Sequence, residues 1–411
     1  MPPRPVRQHK EIAPMRIALF SALYPTPRHP KIVGGAEVFA HQFAEALVAS
    51  GDEVMVLCNS LEGKRESEFV NGVRVEFITV RNLFPPFQEK QNPAARVLWH
   101  VIDDWQTAHA DVGKLLDDFR PDVANSNTIN GLTADVWRVA KSKKIPTVHT
   151  LHDYYLTCPR CSRFHGDKSC GIACTALTVG RRRRAKRVDA VVSVSQRTLD
   201  LHLEDGLFGG AAKHVVRNVP NPAITFSPRP LPTAPLRIGY LGRFSEEKGV
   251  GLLVEAVARQ KPGAVTLALA GNVPEDEKAR LRALAPHADL DFVGFVSPSE
   301  FYATVDVIAI PSIWEEPGAL VLVDALAAGR PVIGSRFGGI PEVIEHGVTG
   351  WIVPPGADGF AKAIEALVED PARVLTAHES LRNRPGRVFE DVVREYRDIY
   401  RSVMPVVAEA T

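Results

Sequence analysis

Between residues 218 and 235 the chain reads Asn218-Val219-Pro220-Asn221-Pro222 and continues through Pro228, Pro230, Pro232 and Pro235. No other stretch constrains the fold as much. Proline fixes its own φ, donates no backbone hydrogen bond and biases the residue before it away from helix. A segment this rich in proline reads as a stiff connector between domains. The same opening stands on each side of it. Before it come the apolar run Met15-Arg16-Ile17-Ala18-Leu19-Phe20-Ser21, a loop ending in Gly34-Gly35-Ala36-Glu37, and a periodic helix from Val38 to Ala49. After it come the strand Leu236–Leu241, the loop Gly242-Arg243-Phe244-Ser245-Glu246-Glu247-Lys248-Gly249, and the helix Val250–Arg259. Strand, glycine loop and helix is how a nucleotide-binding α/β domain begins. A chain of 411 residues also suits two domains of about 200 residues each. The expected divisions are a flexible tail over 1–14, a first domain over 15–217, the connector over 218–235, a second domain over 236–386, and a C-terminal helix and tail over 387–411.

Further strands are expected at Glu53–Cys58, Val73–Val80, Val123–Asn125, Thr147–Thr150 and Ala190–Val194, alternating with helical segments around Ala94–Phe119, Leu132–Ala140 and Ala176–Lys186. The second half repeats the alternation at Val265–Ala270, Leu290–Val293, Val307–Ile310, Pro331–Ser335 and Trp351–Val353. This predicts two doubly wound, Rossmann-like parallel sheets. The last helix carries an apolar stripe through Phe389, Val392, Val393, Tyr396, Ile399, Tyr400 and Val403. That face must be buried, and the first domain is the expected partner.

Charge narrows the function. With 49 Lys and Arg against 48 Asp and Glu, no general nucleic-acid binder is expected. No run of about 18 apolar residues is present, and the start, Met1-Pro2-Pro3-Arg4-Pro5-Val6-Arg7, lacks the apolar core of a signal peptide. A cytoplasmic protein is expected. One local exception to the charge balance is Arg181-Arg182-Arg183-Arg184-Ala185-Lys186-Arg187, with six cations in seven residues. It reads either as a solvated helix face or, slightly favoured, as a patch for anionic headgroups on the inner face of a membrane.

The stretch from Trp314 to Gly329 reads as a loop that starts a helix. Pro317 suits the first helical position, and Gly318 lets a ligand approach the backbone. Backbone N–H groups of Gly318, Ala319 and Leu320 would hold phosphates, leaving Glu316 and Asp324 to accept hydrogen bonds from hydroxyls. On these residues alone an ordinary capped helix is the simpler reading. Arg243 and Lys248 could clamp a diphosphate, although a solvated loop fits their spacing as well. His152 and Asp153 follow a strand, where ligands of open α/β sheets bind, whereas His149 is expected to be buried. The stretch from Leu83 to Trp105, with Phe84, Phe87, Trp99 and Trp105, reads first as core and second as an acceptor surface. Cys158, Cys161, Cys170 and Cys174 admit a structural zinc site, free thiols or a loop-stapling disulfide, and Cys58 stands apart in a strand.

Taken together, Gly242-Arg243, Glu247-Lys248-Gly249, the pair Glu316 and Asp324, and Gly329-Arg330-Pro331-Val332-Ile333 resemble the retaining glycosyltransferases of family 4. Gly34-Gly35, Pro121-Asp122-Val123, His152-Asp153-Tyr154 and Cys158-Pro159 are similar to members that act in exopolysaccharide or cell-surface glycan assembly. The resemblance runs from Met15 through almost the whole chain. It implies the GT-B fold, two facing Rossmann-like domains with a cleft between them and a last helix crossing back to the first. It also implies transfer of a sugar from a nucleotide diphosphate donor, UDP ahead of GDP, to a hydroxyl of a glycan or lipid-linked acceptor. Arg243 and Lys248 would bind the diphosphate, Glu316 the sugar, Asp324 the ribose diol and Gly318 to Leu320 the phosphates. Gly34 and Gly35 would lie near the phosphates, and His152 near the reacting sugar. Asp324 departs from the pattern, which has Glu there.

No metal or other cofactor is expected in catalysis, because positive side chains and a helix N-terminus would stabilise the departing diphosphate. Asp289-Leu290-Asp291 reads as strand rather than as a metal–diphosphate motif. The alternatives are a sugar-nucleotide epimerase of the same fold, or a non-catalytic, zinc-stapled scaffold that docks at membranes.

Overall fold

The computed structural model describes residues 13–88, 91–166, 170–384 and 386–405. Chain contacts divide it into two compact units. The first comprises residues up to His149, Arg187–Asp189 and the chain from Arg397; the second comprises Thr150–Lys186 and Ala190–Tyr396.

In the first unit β1 (Arg16–Phe20), β2 (Glu53–Ser60), β3 (Glu66–Val70), β4 (Val73–Thr79), β5 (Val123–Ser126) and β6 (Thr147–Leu151) lie in the order β3-β4-β2-β1-β5-β6. Only β3 is antiparallel, at the edge, and it was not expected. Its alternation of half-buried and exposed residues marks a strand with one wet face. The helical segment expected over Ala94–Phe119 is two helices, Pro93–Trp105 and Ala110–Phe119. The first begins on Asn92, whose side chain accepts from the Ala94 N–H with Pro93 behind it, and the second begins on His109. Trp99 is buried and donates to the Phe84 carbonyl at 2.8 Å. Val97, Leu98, Val101 and Trp105 leave an apolar stripe in solvent. From Arg397 the last helix, Phe389–Val403, belongs to this unit. There Tyr400 accepts from Asn125 at 2.8 Å, and Arg397 meets Asp52 at 3.3 Å and the Ala13 carbonyl at 2.9 Å.

In the second unit β7 (Ala190–Ser193) and β8 (Ala212–Val215) pair in parallel. A separate parallel sheet contains β9 (Leu236–Leu241), β10 (Val265–Ala270), β11 (Asp289–Gly294), β12 (Val307–Ile310), β13 (Val332–Ser335) and β14 (Gly350–Val353), in the order β11-β10-β9-β12-β13-β14. Both of its faces are covered, as a parallel sheet requires. Side chains alternate across each strand. Leu267, Leu269, Val307 and Ala309 therefore enter one core, while Ala268, Ala270, Ile308 and Ile310 enter the other.

Strand order reverses between β9 and β12. The loops leaving the carboxyl ends of these two strands, 242–249 and 311–319, therefore flank the position where such sheets bind ligands. Gly249 joins the two loops. It has φ +70°, and a Cβ there would lie 2.1 Å from the Pro311 carbonyl oxygen. Beside it the Ile313 N–H donates to the Glu247 carbonyl at 2.9 Å. Gly249→Ala is expected to destabilise the second unit by about 2 kcal/mol or more, read as a lower denaturant midpoint, because strain and a backbone clash add.

Candidate donor site at the carboxyl ends of the second sheet

Glu316 is buried, and one of its carboxylate oxygens gathers three donors. Lys248 Nζ lies 2.5 Å from Oε2, Trp314 Nε1 donates to it at 3.0 Å, and Ser312 Oγ at 3.3 Å. The Lys248 ammonium also lies 5.1 Å from the centre of the Trp314 ring, a cation–π arrangement. Lys248 and Glu316, 68 residues apart, thus form one charge-balanced cluster. Ser312 and Trp314 were not singled out from the sequence, since nothing in their spacing marks them.

The loop before the helix is held from outside. The Gly338 N–H donates to Glu315 at 2.9 Å, the Gly339 N–H to the Glu316 carbonyl at 2.7 Å, and Asn218 Nδ2 to the Gly318 carbonyl at 2.9 Å. Gly338 has φ +58°, and a Cβ there would meet Glu316 O at 2.2 Å, so only glycine closes the clasp. Arg197 pairs with Glu315 at 2.8 Å. These contacts hold Pro317–Ala319 out of the helix, which begins at Leu320 and ends at Ala327. This corrects one sequence expectation: Pro317 is not the first helical residue, so Glu316 lies outside the helix that carries Asp324. Among the described residues no side chain caps this helix, so an anion could meet N–H groups of its first turn.

Asp324 lies buried on that helix and accepts from the Asn221 N–H at 2.8 Å, tying the proline-rich stretch to it. Burial pushes its carboxyl up from the usual 3.8 to about 6, with the Asn221 N–H pulling the other way. An acid whose folded pKa is raised gives stability that is complete below pH 4 and is lost as pH rises through about 6. Hydroxyl binding needs the opposite charge state, the carboxylate. If Asp324 accepts from a donor hydroxyl, the donor KM should rise as pH falls below about 6. Asp324→Asn, which keeps an acceptor for Asn221, should flatten that profile; steady-state kinetics between pH 5 and 8 checks it.

Arg243 is largely in solvent, with one loose pair to Glu247 at 3.8 Å. His152 follows β6 and is partly buried; desolvation lowers its pKa from 6.5 to about 4, so the imidazole is neutral at pH 7. His149 is buried as expected, 2.9 Å from Ser126 Oγ and edge-on to Trp137. Gly34 and Gly35 lie in the first unit. The Gly34 N–H donates to Glu37 Oε2 at 2.7 Å, and Gly35 opens the helix Gly35–Ala49.

The second unit also encloses a cavity of about 760 Å³ lined by Asn218, Asn221, Gly318, Ala319, Leu322 and Glu342, among others. Arg243, Lys248, Glu316 and Asp324 do not line it. The basic run is not a uniform cationic face. Arg181 is fully buried, donating to the Tyr155 carbonyl at 2.9 Å and stacking on that ring. Arg182 reaches the Asp205 carbonyl at 3.1 Å. Arg183, Lys186 and Arg187 are exposed. The cysteines also group differently from their spacing. Cys158, Cys170 and Cys174 meet around His165, and the Cys161 thiol lies outside that group.

The two sheets have the GT-B fold. A sucrose-phosphate synthase from Thermosynechococcus elongatus shares the fold with a TM-score of 0.71 at 20% identity, over 94% of this chain and 98% of that one. Anabaena HepE, solved in complex with UDP-glucose, shares it with a TM-score of 0.65 at 20% identity, over 94% of this chain and all of that one. Residues 33–222 match the family described as Glycosyltransferase Family 4, and 224–386 match Glycosyl transferases group 1. The chain belongs to these glycosyltransferases. It is also 29% identical to an uncharacterised 42.6 kDa protein in the cps region of Klebsiella pneumoniae, over 80% of this chain and 87% of that one.

Proposed function

We propose that this glycosyltransferase moves a sugar from a UDP-sugar to a hydroxyl of a lipid-linked or glycan acceptor in polysaccharide assembly, with retention of anomeric configuration. The buried Lys248–Glu316 cluster carries the reading. Lys248 meets the departing diphosphate, Arg243 adds a second cation from solvent, and Glu316 orients the sugar. Asp324 accepts from the ribose diol, and His152, neutral at pH 7, serves as a hydrogen-bonding group near the sugar. The bond from the anomeric carbon to the phosphate oxygen breaks while the acceptor oxygen bonds on the same face. The acceptor proton passes to the leaving phosphate, so the protein's part is positioning and charge stabilisation.

UDP is supported by the likeness to HepE, which binds UDP and UDP-glucose. Polysaccharide assembly is supported by the likeness to the Klebsiella cps-region protein. A catalytic metal is not invoked, because Lys248 and Arg243 would supply the positive charge for the departing diphosphate. Asp289 and Asp291 sit on β11, one bonded to Thr266 at 2.6 Å and the other 3.5 Å from Arg237. A lipid-linked acceptor is favoured by the exposed stripe Val97, Leu98, Val101 and Trp105. The exposed Arg183, Lys186 and Arg187 would face anionic headgroups, and no helix among the described residues is long and apolar enough to cross a membrane.

The test is acceptor-dependent release of the nucleotide diphosphate, with the anomeric configuration of the product read by NMR. An α-linked product from an α-linked donor is expected. Inversion would remove the retaining mechanism, and an altered nucleotide sugar formed without acceptor would indicate the epimerase.

A further inference from the structure

Cys158, His165, Cys170 and Cys174 form a cluster that the transfer reaction does not use. His165 Nε2 lies 3.5 Å from Cys158 Sγ, 3.5 Å from Cys170 Sγ and 3.4 Å from Cys174 Sγ. All four atoms fall within 4.8 Å of one another. Hydrogen bonding does not account for this. A neutral imidazole nitrogen carries either one proton or one lone pair, in the ring plane, so it satisfies one sulfur and not three. A single cation at the centre satisfies all four ligands.

The dimensions select the ion. Tetrahedral zinc has Zn–S near 2.3 Å and Zn–N near 2.05 Å, which sets neighbouring S and N ligands about 3.6 Å apart. The observed separations are 3.4–3.5 Å. Three thiolates and one imidazole are a zinc donor set, and four protein ligands leave no open position for substrate or water.

We infer that Cys158, His165, Cys170 and Cys174 form a structural zinc site, with Cys161 outside it. Cys161 is committed to the turn instead. Its backbone has φ +59°, its N–H donates to the Cys158 carbonyl at 3.0 Å, and its carbonyl accepts from the Tyr154 N–H at 2.9 Å. The zinc knot thereby fixes Tyr154, which packs with Cys158, Cys174, Leu201 and Trp314 and donates to the Glu315 carbonyl at 2.8 Å. The metal buttresses the loop that presents Glu316, without taking part in the chemistry. The site is inferred from ligand geometry alone and stands whether or not the transfer reading does.

Full-length protein purified without added chelator should contain one zinc per chain by elemental analysis. Cys161→Ser should retain it, whereas His165→Ala and Cys174→Ser should lose it. Exchange into cobalt reads the ligands directly in the wild-type protein, whether or not His165→Ala and Cys174→Ser fold. Wild type and Cys161→Ser should show the same tetrahedral d–d bands and the same thiolate charge-transfer intensity. Any one of three results would overturn the assignment: metal-free folded protein that takes up neither zinc nor cobalt, a disulfide among Cys158, Cys170 and Cys174 in non-reduced peptide maps, or a cobalt charge-transfer band reduced by Cys161→Ser.

Discussion

Lys248→Ala lowers turnover by about a hundred- to a thousand-fold, the usual cost of removing one preorganised group that stabilises developing negative charge. The ammonium sits 2.5 Å from Glu316 in a largely buried place, where water does little to weaken its field. A departing diphosphate gains from that field as its charge develops, which lowers kcat in the variant, and the bound donor is already charged, so the donor KM should rise as well. Folding should survive, because Glu316 keeps Trp314 and Ser312 as donors. Circular dichroism and the thermal transition of the variant should therefore stay close to wild type. Wild-type rates in Lys248→Ala would remove the diphosphate clamp.

Glu316→Gln separates sugar recognition from nucleotide recognition. The amide can still accept from Trp314 and is nearly the same size, so the loop should keep its shape. What it loses is charge toward Lys248 and toward any sugar hydroxyl. A hydrogen bond to a charged group contributes about 1.5–3 kcal/mol, so affinity for the intact nucleotide sugar should fall roughly ten- to a hundred-fold. Affinity for the free nucleotide diphosphate should change little. Titration calorimetry with both ligands reads the difference, and equal losses would contradict the role assigned to Glu316.

Much of this was legible before the structure. The two strand–glycine–helix openings are local signals, and they survive into the fold. Lys248 and Glu316 were nameable from motif resemblance, yet their direct pairing was not, because it depends on how the loops after β9 and β12 converge through Gly249. The start of the 320–327 helix was misplaced because contacts from Gly338, Gly339 and Asn218 override the helix-starting preference of Pro317. Arg181 looked like surface charge and is instead buried under Tyr155, since sequence does not show which cations find internal acceptors. His165, which lies beside Cys158, Cys170 and Cys174, is not marked by the cysteine spacing, which points to Cys161 instead. A turn with positive φ sends that thiol elsewhere.

The proposed donor site lies in the loops at 242–249 and 311–319. Its most direct test is the thermal transition of the wild-type chain and of Lys248→Ala against a panel of UDP-, GDP- and ADP-sugars. A ligand that binds only the folded state at a hundred times its Kd stabilises it by about 2.7 kcal/mol. A clear rise of the wild-type transition with a UDP-sugar, much reduced in the variant, is the predicted result; no shift with any nucleotide sugar, or equal shifts in both proteins, would contradict it.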